Sequence, residues 1–165
     1  MVSHTERIEC ALDDLRQECL KHYGERLRSI VVFGSVGRGV SRADSDIDIL
    51  LVVDSLPDGR MARVREFEPV EKAFEATWGD RFPHVAAPEL SPVFKTPAEV
   101  ARGSLLFLDM IHDARILHDR DGFFAAYLKA LAERLEALGA RRIPYRGSWY
   151  WDLKPDLKPG EVFEI

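Results

Sequence analysis

The sequence predicts an α/β domain, in the wider α+β sense, with helices flanking a central β-sheet. Two observations predict it. Helical and strand-type apolar spacings alternate along the chain, and the two β-rich runs Ile30-Val31-Val32-Phe33 and Ile47-Asp48-Ile49-Leu50-Leu51-Val52-Val53 are apolar enough to be buried. The 165 residues, 46% apolar and 31% charged, suffice for one core without disulfides or metal.

The first helix opens at Ser3 or Thr5 as cap, repeats Ile8, Ala11, Leu12, Leu15, Cys19 and Leu20 at three- and four-residue spacing, and ends near Gly24. A buried strand over 27–33 then stops at Gly34-Ser35. Residues 34–45 are a glycine-, serine- and arginine-rich turn, and the second strand runs from Asp46 to Val53. After the Pro57-Asp58-Gly59 turn, Met61, Val64, Phe67, Val70, Phe74 and Trp78 return to helical spacing. Pro69 lies inside that pattern and predicts a kink or a late start. Residues 83–96, broken by Pro88 and Pro92, suit an edge or irregular strand. A short helix over 97–102, a mixed segment over 104–113, a short strand over 115–118 and a last helix over 122–138 complete the domain, which is assigned to residues 1–139.

Residues 140–165 are expected to be an ordered tail folded back on the domain, because Trp149-Tyr150-Trp151 would be costly to leave in water.

The net charge of −5 provides no field for nucleic acid or an anionic membrane, and neither is expected as a partner. Cys10 and Cys19 lie in one amphipathic stretch without metal-site or disulfide spacing, which suits a reduced, cytoplasmic protein. The opening residues lack signal-peptide order, and no apolar run approaches the ~18 residues of a membrane span.

The chemistry is concentrated in Gly34-Ser35, ten intervening residues, and Asp46-Ile47-Asp48. On a strand, Asp46 and Asp48 point one way while Ile47 and Ile49 point into the opposite layer. Two carboxylates side by side on a buried strand call for a cation, and with no His or Cys nearby that cation is Mg²⁺ or Mn²⁺. Magnesium fills its shell with waters and phosphate oxygens, so a phosphate-bearing partner is implied. Gly34 allows phosphate to approach the backbone, Ser35 offers a hydroxyl and an N–H, and Arg38 and Arg42 are placed to neutralise outer phosphates. Lys154 would join them if the tail crosses the site. A dinucleotide fingerprint fails at Arg42, and no P-loop motif occurs.

Gly34-Ser35-x10-Asp46-x-Asp48 resembles the signature of the DNA polymerase beta-like nucleotidyltransferase superfamily, and among its groups the minimal nucleotidyltransferases that include antitoxin partners of HEPN-type toxins. The resemblance implies a mixed β-sheet flanked by helices, two Mg²⁺ ions, an NTP donor (ATP by default) and an acceptor hydroxyl. It also implies a third carboxylate on a later strand, as metal ligand or general base. Glu89 is the candidate for it, with Asp109 and Asp113 as competitors. In-line attack of the hydroxyl on the α-phosphate would release pyrophosphate. A HEPN-type toxin or another protein would supply the hydroxyl. Two alternatives remain: an inactive module that binds a toxin as antitoxin, and a small-molecule enzyme of the aminoglycoside type, which would call for a homodimer.

Overall fold

The computed structural model describes residues 2–165. Helix α1 (His4–Tyr23) starts where Ser3 forms a capping box with Glu6 and stops at Gly24, whose φ of 55° breaks the helix. Strand β1 (Leu27–Val32) leads into a single helical turn, α2 (Gly34–Gly37), and strand β2 (Ile47–Val53) follows. Next come α3 (Arg60–Arg81), β3 (Leu90–Lys95), α4 (Pro97–Ala101), α5 (Leu106–Asp113), β4 (Arg115–Asp119) and α6 (Phe123–Ala137). A hairpin of β5 (Arg141–Tyr145) and β6 (Ser148–Asp152) closes the chain.

The first four strands form one mixed sheet in the order β3-β2-β1-β4. Strand β1 pairs antiparallel with β2 and with β4, while β2 pairs parallel with β3 through the α3 crossover. The central strands alternate between two cores. Ile30, Val32, Ile49, Leu51 and Val53 pack under α1 and α3. On the other face, Val31, Leu50 and Val52 pack with Phe107 and Met110 of α5 and with Phe124 and Leu131 of α6. This two-sided burial explains why β1 and β2 read as continuous apolar runs.

Three local expectations are corrected. Helix α3 runs from Arg60 to Arg81 with Pro69 inside it at an exposed position, so the helix does not start late. The mixed segment 104–113 contains a regular helix, α5, with Phe107, Leu108 and Met110 buried. Strand β2 begins at Ile47, so Asp46 precedes the strand and sits in the incoming loop.

Strand β3 is an edge strand, with Pro92 opposite Ile49. The Ile47 amide donates to the Glu89 carbonyl, so alternate residues 89, 91 and 93 face β2 and Pro92 faces outward, where no N–H is needed. The outward carbonyl of Phe94 accepts from Arg63, which also grips Glu99 with both guanidinium nitrogens at 2.9 and 3.0 Å. That grip pulls the Glu99 carboxyl down to about 2.

Candidate active site

The site forms where β1 ends. The antiparallel ladder carries Val32 opposite Ile49, and its next bond, from the Phe33 amide to the Asp48 carbonyl at 3.0 Å, brings the Gly34 turn against Asp48. Gly34 has φ 65°, and a Cβ there would lie 2.1 Å from Asp48 Oδ2. Glycine at 34 therefore makes room for the Asp48 carboxylate as well as for a ligand. Gly37, whose importance the sequence reading missed, is as tightly placed. Its Cβ would meet the Asp113 carbonyl at 2.5 Å and the Val32 carbonyl at 2.9 Å. In between, the Gly37 and Arg38 amides donate to Phe33 and Gly34, while those of Ser35 and Val36 have no backbone partner among the described residues. Two free amides beside a hydroxyl suit an anionic oxygen.

Asp48 is half-buried, and Asp46 is exposed. Burial, and then the neighbouring Asp46, push the Asp48 carboxyl above its ordinary value, with Arg38 pulling it partly back. Among the described residues neither aspartate is in an ion pair. An unneutralised pair of this kind fits a divalent cation that completes its shell with water and phosphate. No group of three or more His, Cys, Asp or Glu among the described residues gathers to hold an ion unaided. The Ile47 amide donates to the Glu89 carbonyl at 2.8 Å, which sets Glu89 beside the Asp46–Asp48 segment. Asp46 and Glu89 line one cleft of about 340 Å³, walled by Ile8 of α1 and Trp78 of α3.

The two arginines of the turn part company. Arg42 lines that cleft. Arg38 lies on the α5 side, where it lines a smaller pocket of about 130 Å³ with Gly34, Asp109 and Asp113. Lys154 pairs with Asp156 at 3.2 Å and lines neither space.

Asp109 and Asp113 are already occupied. Arg142 of β5 reaches Asp113 at 2.6 Å and Asp109 at 3.8 Å, and the indole N–H groups of Trp149 and Trp151 both donate to Asp109 Oδ1, at 2.7 and 2.9 Å. Trp151, Leu153 and Ile165 also pack on the core beneath α5 and α6. The sequence carried a sign of this hairpin. Ile143 and Tyr145 alternate before Arg146-Gly147 and Trp149 and Trp151 alternate after it, and both turn residues take positive φ, as a two-residue hairpin turn requires.

Residues 12–81, from within α1 through the Gly34 turn and Asp46-Ile47-Asp48 to the end of α3, match the family model described as a nucleotidyltransferase domain. A Methanocaldococcus jannaschii protein named "Putative protein adenylyltransferase MJ1305" is 29% identical over 122 residues, which are 73% of this chain and 78% of the relative. A toxin–antitoxin crystal structure with AMP-PNP aligns at TM-score 0.49 and 19% identity, covering 76% of this chain and 90% of that one. A tri-AMPylated Shewanella oneidensis HEPN toxin in complex with MNT antitoxin gives TM-score 0.47 and 16% identity over 79% and 90%. Residues 12–81 are thus similar to a nucleotidyltransferase domain, and with the relative named as an adenylyltransferase this match supports a transferase activity. The matched residues include Gly34-Ser35 and Asp46-Ile47-Asp48, the spacing that carries the resemblance.

Proposed function

We propose that the protein transfers AMP from ATP to a hydroxyl on a protein acceptor, with a HEPN-type toxin as the partner class. The observation that carries this reading is the unpaired Asp46 and Asp48 at the head of β2, pressed against a glycine turn with free amides. The naming of the Methanocaldococcus jannaschii relative as a protein adenylyltransferase supports the choice of AMP and of a protein acceptor.

The Gly34–Gly37 turn and Arg38 would hold the triphosphate, and Asp46 and Asp48 would hold Mg²⁺, with Glu89 as the third acid. When bound, Mg²⁺ supplies charge neutralisation and alignment of the phosphate oxygens. The acceptor hydroxyl oxygen bonds to the α-phosphorus, the bond from that phosphorus to the bridging oxygen of the β-phosphate breaks, and pyrophosphate departs. The hydroxyl proton passes to a carboxylate, the role proposed for Glu89, which lines the same cleft as Asp46. Arg42, which lines the cleft with Asp46 and Glu89, would help neutralise the phosphates. Catalysis of this type rests on positioning and electrostatics.

The test is incubation of the protein with α-³²P-ATP, Mg²⁺ and a HEPN-type toxin. Label on the toxin that disappears in Asp48→Asn supports the reading. Absence of label on any protein, with toxin still bound, would favour the antitoxin module that works by contact alone. This second reading draws on the absence, among the described residues, of a three-acid cluster.

A further inference from the structure

The guanidinium of Arg38 lies over the Trp149 ring, 5.3 Å from its centroid. Arg142 lies over the same ring at 3.8 Å, and the indole N–H is tied to Asp109. Trp149 is therefore a fixed plate: β6 carries it, Asp109 orients it, and Arg142 lies against it. Arg38 is otherwise unconstrained. It is exposed and forms no ion pair among the described residues, although it follows directly on the Gly34–Gly37 turn and lines the pocket beside Gly34. A guanidinium drawn to a ring face by a cation–π contact keeps N–H groups free to fork onto phosphate oxygens.

From this geometry we infer that Trp149 is a positioning residue for the nucleotide: the C-terminal hairpin holds Arg38 in the orientation that receives the β- and γ-phosphates. The inference rests on the donor-site reading above and adds a contribution from outside residues 12–81, which match the family model. The ligand chemistry it selects is a polyphosphate chain, and a nucleoside monophosphate gains nothing from it.

Titration calorimetry with ATP and with AMP, in Mg²⁺, tests it through the ratio of the two affinities. Trp149→Leu keeps an apolar side chain but removes the aromatic face, and it should lower the preference for ATP by about two- to fivefold, the scale of an exposed cation–π contact. Trp149→Phe keeps a ring and should keep the preference. Arg38→Ala should lose at least as much, and adding Trp149→Leu to it should cost nothing further in the ratio. Arg38→Lys leaves every hairpin anchor in place and should also lose preference, which keeps the test alive if Trp149→Leu does not fold. A ratio unmoved by Trp149→Leu and by Arg38→Lys, with ATP still bound, overturns this inference alone. An unmodified protein that binds no ATP overturns the donor-site reading and this inference with it. Equal losses for ATP and AMP would show Trp149 to be a structural anchor only.

Discussion

Asp109 and Asp113, one turn apart on α5, receive an arginine and two indole N–H groups, whereas Asp46 and Asp48, two residues apart at the head of β2, form no ion pair among the described residues, and Asp48 feels Arg38 only at a distance. The two pairs flank the same four-residue turn, with Gly34 against Asp48 and Gly37 against the Asp113 backbone. Both pairs were candidates for chemistry on sequence. The difference teaches that pairing, more than residue type or nearness to the glycine turn, separates a carboxylate that fastens the fold from one proposed to take a metal. The fastened pair uses the C-terminal hairpin as its counter-ion. The open pair keeps a repulsion that Arg38 offsets only in part.

The sharpest way to break this contrast is to neutralise one member of each pair. Asp48→Asn or Asp46→Asn should reduce nucleotidyl transfer by more than about a hundredfold, since even groups one shell removed from a metal cost about 10- to 100-fold. Pyrophosphate release measures it, and thermal unfolding without metal should show an unchanged or slightly higher midpoint. Retained turnover in either variant would remove the metal assignment.

Gly37→Ala probes the wall between the pairs. Its new Cβ would press on two backbone carbonyls that cannot rotate away, so chemical denaturation should show a loss of about 1–3 kcal/mol. Gly34→Ala combines a positive φ with displacement of the Asp48 carboxylate, so it should lower both stability and metal affinity.

Asp113→Asn should act opposite in sign to Asp48→Asn. It leaves Arg142 without its 2.6 Å partner, and urea unfolding should report a loss of about 1.5–3 kcal/mol, the range for a hydrogen bond to a charged group. Stability equal to that of the unmodified protein would show that the hairpin is fastened by its aromatics alone.

The smallest expected effect is in pH dependence. The folded Asp48 carboxyl sits above its ordinary value of 3.8, so between that value and the raised one the folded state holds a proton that the unfolded chain has released. Stability without metal should therefore fall as pH rises through that window. The advantage of Asp48→Asn over the unmodified protein should grow across the window and level off above it, and Mg²⁺ should shrink it.

Much of the fold and part of the site could be read from sequence because they depend on local pattern. Two buried strands, the capped first helix and the Gly34-Ser35 to Asp48 spacing are encoded within a few residues of where they act. Other features depend on distant contacts. Asp46 appeared to be a strand residue because it alternates with Ile47, but β3 reaches only as far back as the Glu89 carbonyl bonded to Ile47. The occupation of Asp109 and Asp113 required Arg142, Trp149 and Trp151, which are about 30 to 40 residues away in the chain. The aromatic triplet marked a docked tail by its hydrophobicity, but nothing local revealed that its indole nitrogens would converge on one carboxylate.

The outer edge of β3 bears on how this protein behaves at high concentration. An exposed strand with a full row of donors and acceptors is a template on which other chains can nucleate cross-β aggregates. Here the row is interrupted twice within six residues, by the missing N–H of Pro92 and by the Phe94 carbonyl that Arg63 covers. Copies should therefore not zip together along this border during heavy synthesis. Concentrated stocks at low ionic strength should stay free of thioflavin-positive material, and Pro92→Val would restore the missing rung.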